Sequence, residues 1–366
     1  MSDTATGVLK ITARRDGELR DPARSFRRGP ADARVPGALI RRHRLPEGAE
    51  VAGPVQRGRH GPELHAVTAV CGLAPDVFAA RTPFDKLTPI DPCDRLHLSK
   101  SDDMAMRLVD LLAPIGRGTR GLIVSPPKAG KTTILMAMAK TMRAAEPEAH
   151  IIALLIDERP EEVTHFRRGV DVQVLASSKD ESPESHIELA EMTLAYVRTL
   201  LECGRHVIVL VDSLTRMGRA FNVRGSGTGR TMSGGLEAGV LEVPRRFFGL
   251  ARNVENGGSV TIIATVLVDT GSRMDELIFQ EFKGTGNSEV VLSRSLAEAR
   301  IFPAIDLPAS GTRKEELLYG REELSRVSAI RSALAGRKPD NAMRALLKAM
   351  DPYPTNEAFL ASIPGE

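Results

Sequence analysis

The sequence predicts an α/β protein: a mostly parallel sheet covered by helices, with a small β domain in front of it. Three observations predict this. From residue 103 onward, short buried runs that end in polar residues alternate with helical stretches, the order that a parallel sheet with crossover helices requires. One of those runs leads straight into a Gly-Lys-Thr turn that opens a helix. The first 85 residues are instead rich in Arg, Gly and Pro, with apolar runs too short for helices.

Composition is compatible with such a protein. The 366 residues exceed one average domain, and 42% are apolar against 27% charged, enough for a sizeable core and too apolar for a largely disordered chain. No apolar run reaches the roughly 18 residues a membrane span needs, and Met1–Gly7 lacks the apolar stretch of a secretory signal. Cys71, Cys93 and Cys203 are odd in number and far apart, so neither a disulfide framework nor a zinc cluster is indicated. Buried thiols in a reducing cytoplasm are expected, with no membrane partner. Charge is uneven: residues 1–60 hold 13 Lys or Arg against 7 Asp or Glu, whereas residues 101–366 hold 33 against 35. Charge alone leaves the basic segment open between a solvated arm and a nucleic-acid surface.

In residues 1–85 the runs Val8–Ile11, Ala38–Ile40 and Ala66–Val70 are separated by turn signals at Asp16-Gly17, Gly29-Pro30, Glu47-Gly48 and Arg57-Gly58, the pattern of a small β domain. Residues 86–102, with Thr88-Pro89 and Asp91-Pro92, are expected to form a linker. The α/β part is placed at 103–325, with strands at Gly121–Ser125, Ile151–Asp157, Val207–Asp212 and Val260–Val268. Between them, Ser185–Leu201 places Ile187, Ala190, Leu194, Val197 and Leu201 on one helical face. Residues 326–366 are expected to add C-terminal helices.

Chemistry enters at Ser125–Thr132. This stretch fits the phosphate-binding pattern G-x-x-x-x-G-K-[ST], with Ser125 in place of the first glycine. Backbone N–H groups of the turn and of the helix N-terminus converge on phosphate oxygens. Gly130 allows close approach, Lys131 brings a point charge to the β/γ phosphates, and Thr132 offers a hydroxyl to Mg²⁺. Val207–Asp212 is a strand ending in a carboxylate, which suits a second Mg²⁺ contact through water. Ile151–Ile156 leads into Asp157-Glu158-Arg159-Pro160-Glu161-Glu162. Glu158 is read as the water-activating base, on a strand expected to lie beside the phosphate-loop strand. Glu161 and Glu162 suit a helix first turn with Pro160 at its first position.

With these residues in hand, the chain resembles the Rho family of RNA-dependent ATPases, roughly from Leu87 to Leu318. The resemblance rests on long runs: Gly116–Thr132, Leu154–Thr164, Asp212–Arg216, Arg245–Gly249, Ile262–Thr265, Glu281–Asn287 and Ser310–Leu317. Rotary and export ATPases share the P-loop fold but not these runs. The resemblance implies a RecA-like P-loop domain behind an OB-like barrel, assembled as a homohexamer that hydrolyses ATP with Mg²⁺, moves along single-stranded RNA and releases transcripts from RNA polymerase. It implies an ATP site of Lys128, Ala129, Gly130, Lys131, Thr132, Thr133 and Asp212, with Phe302 packing on adenine. Glu158 matches the base, Arg159 a residue at the subunit interface, and Arg313 an arginine finger given by the neighbouring subunit. Gly229, Arg230 and Thr231 fall in one RNA-gripping pore loop and Arg273 in a second, with Arg for Lys in both.

Departures are expected to matter. The barrel begins almost at once with Gly7–Ile11, without the family's helical extension. Where the family stacks pyrimidines on an aromatic stretch, Asp16–Arg20 holds no aromatic, and Arg34 stands for a tyrosine. Phe26 is placed near another family aromatic. Stacking is worth about 1–3 kcal/mol per base. Binding by charge is therefore expected in residues 1–85, through Arg14, Arg15, Arg20, Arg27, Arg28, Arg41, Arg42 and Arg44. Ala299 replaces a lysine, which is expected to weaken signalling between the RNA loops and the ATP site. Two rival readings are a divergent motor acting outside termination and an RNA-binding ring with vestigial hydrolysis.

Overall fold

The structure is a computed structural model and describes residues 4–58, 61–225, 235–236 and 239–364. Its N-terminal sheet is built from strands β1 (Thr4–Ile11), β2 (Gly17–Arg20), β3 (Arg34–Val35), β4 (Glu50–Gly58), β5 (Gly61–Leu64) and β6 (Ala69–Val70). The order is β1-β2-β3-β5-β4, and β4 pairs back onto β1, so five strands close into a barrel. Only the β3–β5 pairing is parallel. This is the strand order of an OB-like barrel. Of the turn signals, Gly29-Pro30 and Glu47-Gly48 fall in its gaps, whereas Gly17 opens β2 and Arg57-Gly58 ends β4, and Ala38–Ile40 lies in a short helix, Gly37–Arg42, and not in a strand. Three apolar residues have no period long enough to tell the two apart.

The second sheet continues the chain with β7 (Pro89–Ile90), β8 (Arg120–Ser125), β9 (His150–Glu158), β10 (Gln173–Ser178), β11 (His206–Asp212), β12 (Arg252–Val254), β13 (Ser259–Leu267), β14 (Ser288–Val291) and β15 (Gly311–Thr312). Its order is β10-β9-β11-β13-β8-β14-β15, parallel from β10 to β14, with β15 antiparallel at one edge. Side chains alternate between two cores as the pleat requires. Val207, Val209 and Val211 join the cluster on one face, and Ile208 and Leu210 the cluster on the other. Helices Lys131–Ala145, Pro160–Gly169, Pro183–Glu202, Leu214–Gly225 and Arg273–Lys283 cover the faces. Arg321–Leu334, Pro339–Met350 and Asn356–Ala361 close the C-terminus. No helix among the described residues is long and apolar enough to cross a membrane.

Two findings depart from the sequence reading. Residues 86–102 run mostly exposed but are anchored at points along their length: β7 pairs with β12, Leu96 and Leu98 are buried, and Arg95 forms an ion pair with Asp110 at 3.0 Å. The strand bearing Glu158 is not beside the phosphate-loop strand, because β11 and β13 lie between β9 and β8.

The barrel docks on the exposed edge of the α/β sheet. Ser25 Oγ accepts from Ala176 N at 2.9 Å, and Arg27 donates to Ala176 O at 3.0 Å, so both main-chain groups of one edge-strand residue are taken. Such cover blunts an edge that would otherwise pair with another chain. Phe26 packs edge-on against Tyr196 (centroids 5.9 Å apart). Gly48, at φ +85°, lies so close to helix Pro183–Glu202 that an added Cβ would meet the carbonyl carbon of Ala195 at 2.2 Å. Gly48→Ala is therefore expected to destabilise the chain by more than the roughly 1–2 kcal/mol of a left-handed non-glycine residue. Denaturant melts of the two proteins check this; equal midpoints would show a loose barrel contact.

Candidate nucleotide site

The site forms at the carboxyl ends of the parallel strands, where open α/β sheets place their ligands. After β8 the chain turns through Lys128 (φ +64°) and Gly130 (φ +98°) into helix Lys131–Ala145. Gly130 caps that helix with no side-chain bond to its first N–H groups, which stay free to meet an anion. An alanine at Gly130 would have room for its Cβ but a strained backbone. Ser125 Oγ donates to Pro126 O at 2.9 Å and is buried, so the residue in the glycine position serves the turn and not the ligand.

Lys131 sits at the convergence of three elements. Its Nζ donates to Glu158 Oε1 at 2.8 Å and to Asp212 Oδ1 and Oδ2 at 2.7 and 2.8 Å. The reach of its four-carbon stem offsets the two strands between β8 and β9. Burial works against the Lys131 charge, but the Asp212 and Glu158 carboxylates outweigh it and hold its pKa above the ordinary lysine value. Burial, and then the Asp212 carboxylate, push the Glu158 carboxyl up to about 7 against the pull of Lys131 and Arg216. Glu158 Oε2 is buried with no hydrogen-bond partner among the described residues. One carboxylate oxygen is thus held and the other is an open acceptor, the arrangement a general base needs.

Two neighbours carry no role in the sequence reading. Thr265 donates to Asp212 Oδ1 at 2.8 Å and fixes that carboxylate. Arg216 Nε lies 3.2 Å from Glu158 Oε1, and its Nη1 donates to the Asp157 carbonyl. Both fall inside runs that carry the family resemblance, Ile262–Thr265 and Asp212–Arg216, and that position is the only sequence signal for them.

The remaining candidates are spread around this centre. Thr132 and Thr133 open the helix, Ala129 is buried, and Lys128 is exposed. A cavity of about 350 Å³ beside Gly130 is lined by Met104, Thr133, Ile134, Ala137, Phe302 and Pro303, with Phe302 half exposed. It has the apolar walls a purine ring requires. Arg159 is exposed at the start of helix Pro160–Gly169, whose first turn holds Glu161 and Glu162. Arg313 lies away from Lys131, past β14 on the β15 edge. Arg273, also exposed, opens helix Arg273–Lys283. Asp275 of that helix holds Arg219 at 2.8 and 2.5 Å and so ties it to helix Leu214–Gly225. Gly229, Arg230 and Thr231 lie outside the described residues.

In the barrel the expectations need correction. Phe26 is buried against Tyr196 and cannot stack on a base. Arg20 is buried beside Glu18 (2.8 Å), whereas Arg27 and Arg28 pair with Glu181 (2.5 Å) and Glu18 (2.8 Å) and stay exposed. These partners lie up to 154 residues apart in sequence, which no local pattern reveals.

Comparison with known proteins agrees with this geometry. Residues 105–312 match the nucleotide-binding domain of the ATP synthase alpha/beta family. Among curated proteins, transcription termination factor Rho of Cereibacter sphaeroides is 42% identical over 364 residues, covering 98% of this chain and 86% of that one. The factor Rho of Pseudomonas aeruginosa is 43% identical over 364 residues, covering 98% and 87%. That of Streptomyces lividans is 46% identical over 342 residues, and the chain spans only about half (48%) of its length. A solved ATPase of a bacterial type III secretion system superposes with a TM-score of 0.64 at 21% identity, over 84% of this chain and 92% of that one, a likeness of fold.

Proposed function

The chain belongs to the transcription termination factor Rho family, and from that membership we propose that it hydrolyses ATP to move along single-stranded RNA. The observation that carries this reading is the Lys131–Glu158–Asp212 cluster beneath an uncapped helix N-terminus. Incoming phosphates meet the free N–H groups and the Lys131 ammonium, which leaves its carboxylates for the β/γ phosphates. Asp212 and the Thr132 hydroxyl are hard oxygen donors and fit Mg²⁺. That ion, when bound, neutralises charge developing on the phosphates. Glu158 orients water and takes its proton at Oε2. Thr265 holds the Asp212 carboxylate, Arg216 orients Glu158, and Phe302 and its cavity take the adenine.

Because burial raises the Glu158 carboxyl, it is protonated and idle as a base below its pKa and active above it. The kcat/KM for ATP is therefore expected to fall in acid with an apparent pKa near 7. A rate independent of pH between 5 and 8 (roughly the span in which a group near 7 titrates) would remove Glu158 from the base role.

RNA is assigned to Arg273 and to the loop holding Gly229, Arg230 and Thr231, with subunits arranged as a homohexameric ring and Arg159 and Arg313 at their interfaces. Release of transcripts from RNA polymerase is the activity proposed for the ring. A second reading, a motor on other RNAs, is favoured by the barrel groove, which no aromatic residue lines among the described residues. ATPase titration over RNA homopolymers tests the motor, and transcript release from a stalled polymerase separates the readings. Turnover indifferent to every RNA would reject both.

A further inference from the structure

We propose that Cys71 and Cys203 are a redox pair: hydrogen peroxide closes a disulfide between them, and that bond ties the barrel covalently to the α/β domain. The two cysteines belong to different domains and lie far apart in sequence. Cys71 follows β6, and Cys203 caps the end of helix Pro183–Glu202.

Docking contacts on both sides hold their two turns together. Upstream on the helix, Gly48 lies against the carbonyl carbon of Ala195. At the helix end, Glu202 accepts from Arg81 Nε at 2.9 Å and from Phe84 N at 3.1 Å, which fastens the chain that leaves β6. A Cβ on Gly72 would lie 3.3 Å from Arg205 Nη2, so the turn holding Cys71 faces the turn holding Cys203. Cys71 belongs to the buried core, and Cys203 packs against that core. The Cys71 thiol donates to the Cys203 sulfur. Sulfurs in such contact reach bonding distance by small turn movements, whereas cysteines with Cα atoms beyond about 7 Å cannot be bridged.

Their surroundings divide the roles. Cys203 is partly exposed. The bond from Cys71, and then the Arg81 and Arg205 charges, hold its pKa below the ordinary thiol value against the effect of burial. Accessible thiols of lowered pKa are the ones that oxidants attack. Cys71 is buried, and the same bond and its burial push its pKa up, so it stays inert until the neighbouring sulfur is oxidised. Its backbone, at φ +50°, stands in the left-handed region, where glycine or asparagine fits at lower cost. The turn itself therefore does not ask for a thiol.

The Cys203 thiolate attacks one oxygen of hydrogen peroxide, the O–O bond breaks, hydroxide leaves, and Cys203 becomes a sulfenic acid. The Cys71 sulfur then attacks the Cys203 sulfur. The S–O bond breaks, and the hydroxyl leaves with the Cys71 proton as water. Two thiols have lost two electrons, and the peroxide has taken them. An excess of a low-molecular-weight thiol opens the bond by two exchanges and is itself oxidised to its disulfide. The link closes a long loop, which favours the folded chain by restricting the unfolded one.

The test uses the full chain carrying Cys93→Ser, because Cys93 is exposed and could link one chain to another. Peroxide is expected to remove both remaining thiols, lower the mass by two hydrogens, yield a peptide cross-linked through Cys71 and Cys203, and raise the urea unfolding midpoint. Dithiothreitol should reverse all four changes. Adding Cys203→Ser should leave Cys71 as a thiol under the same peroxide. Adding Cys71→Ala instead should leave Cys203 as a sulfenic acid that dimedone traps. The proposal is overturned if both thiols survive peroxide, if the cross-link joins different chains, or if the oxidised chain unfolds at the reduced midpoint. It is equally overturned if Cys71 oxidises without Cys203, or if Cys203 gives no dimedone adduct in the Cys71→Ala chain.

Discussion

Glu158→Gln is expected to lower ATP turnover by about 10²–10⁴-fold, the usual contribution of a general base, while leaving ATP affinity nearly intact. Lys131→Ala is expected to abolish turnover and weaken ATP binding as well. The two differ because Glu158 is assigned to water and Lys131 to the phosphates. Glutamine keeps the shape of Glu158 and a carbonyl oxygen toward Lys131 and Arg216, but it no longer accepts a proton at the position of Oε2. The phosphate cradle of Gly130, Lys131 and Thr132 is untouched. Removing Lys131 takes from the cradle the ammonium that faces both carboxylates and leaves Glu158 and Asp212 without the charge now between them. A buried carboxylate pair without that cation binds a proton more readily, so any remaining activity should shift to higher pH. Single-turnover hydrolysis and binding of a fluorescent ATP analogue separate the cases. Normal turnover in Glu158→Gln would overturn the base assignment, and unchanged ATP affinity in Lys131→Ala would overturn the phosphate role of Lys131.

What the sequence disclosed about this centre follows from what is local in it. The turn after β8, the carboxylates that end β9 and β11, and the helix that opens at Lys131 are each written in a few consecutive residues. Their mutual arrangement is not, because the order of parallel strands is set by crossovers over the sheet. Glu158 therefore came out on the right strand end but on the wrong neighbour of β8. The strands β10 and β14 escaped notice because Gln173–Ser178 and Ser288–Val291 are short and partly polar, and pairing with distant strands makes them regular. Ion pairs decided the barrel in the same way. Eight arginines read alike in sequence, yet carboxylates of the barrel and of helix Pro183–Glu202's approach pair with Arg20, Arg27 and Arg28, of which only Arg20 is buried. Phe26 shows the converse: an aromatic placed by resemblance alone is accounted for by its packing against Tyr196.

Arg313→Ala is expected to reduce hydrolysis by about 10³–10⁵-fold, as loss of an arginine finger does in other NTPases, and to do so across a subunit boundary. The sheet itself argues for the boundary. Thr312 pairs with Ser288 at the amino end of β14, and Ser288 is level with Gly121 near the start of β8. The nucleotide lies past Ser125, four residues further along β8, about 13 Å at roughly 3.3 Å per residue. Arg313 is also displaced toward the β15 edge, whereas Glu158 and Asp212 lie across β13 on the other side. Its own site is out of reach, so a finger role for Arg313 requires a neighbouring subunit. The segment is built to hold a fixed posture: Arg313 N donates to Asn287 O at 2.7 Å, Thr312 Oγ1 to Pro114 O at 2.8 Å, and Glu315 is clamped by Arg331, which also donates to Leu112 O at 2.8 Å. The side chain of Arg313 is left exposed. Mixing two inactive variants decides the matter. A subunit with Arg313→Ala keeps its base, and a subunit with Glu158→Gln keeps its finger, so every junction that joins the intact faces of the two forms a complete site. Recovery of single-turnover hydrolysis on mixing is expected for a finger acting in trans. A finger acting in cis leaves every site in the mixture deficient in one group, so mixtures as inactive as their components, or a fully active monomer, would rule the assignment out.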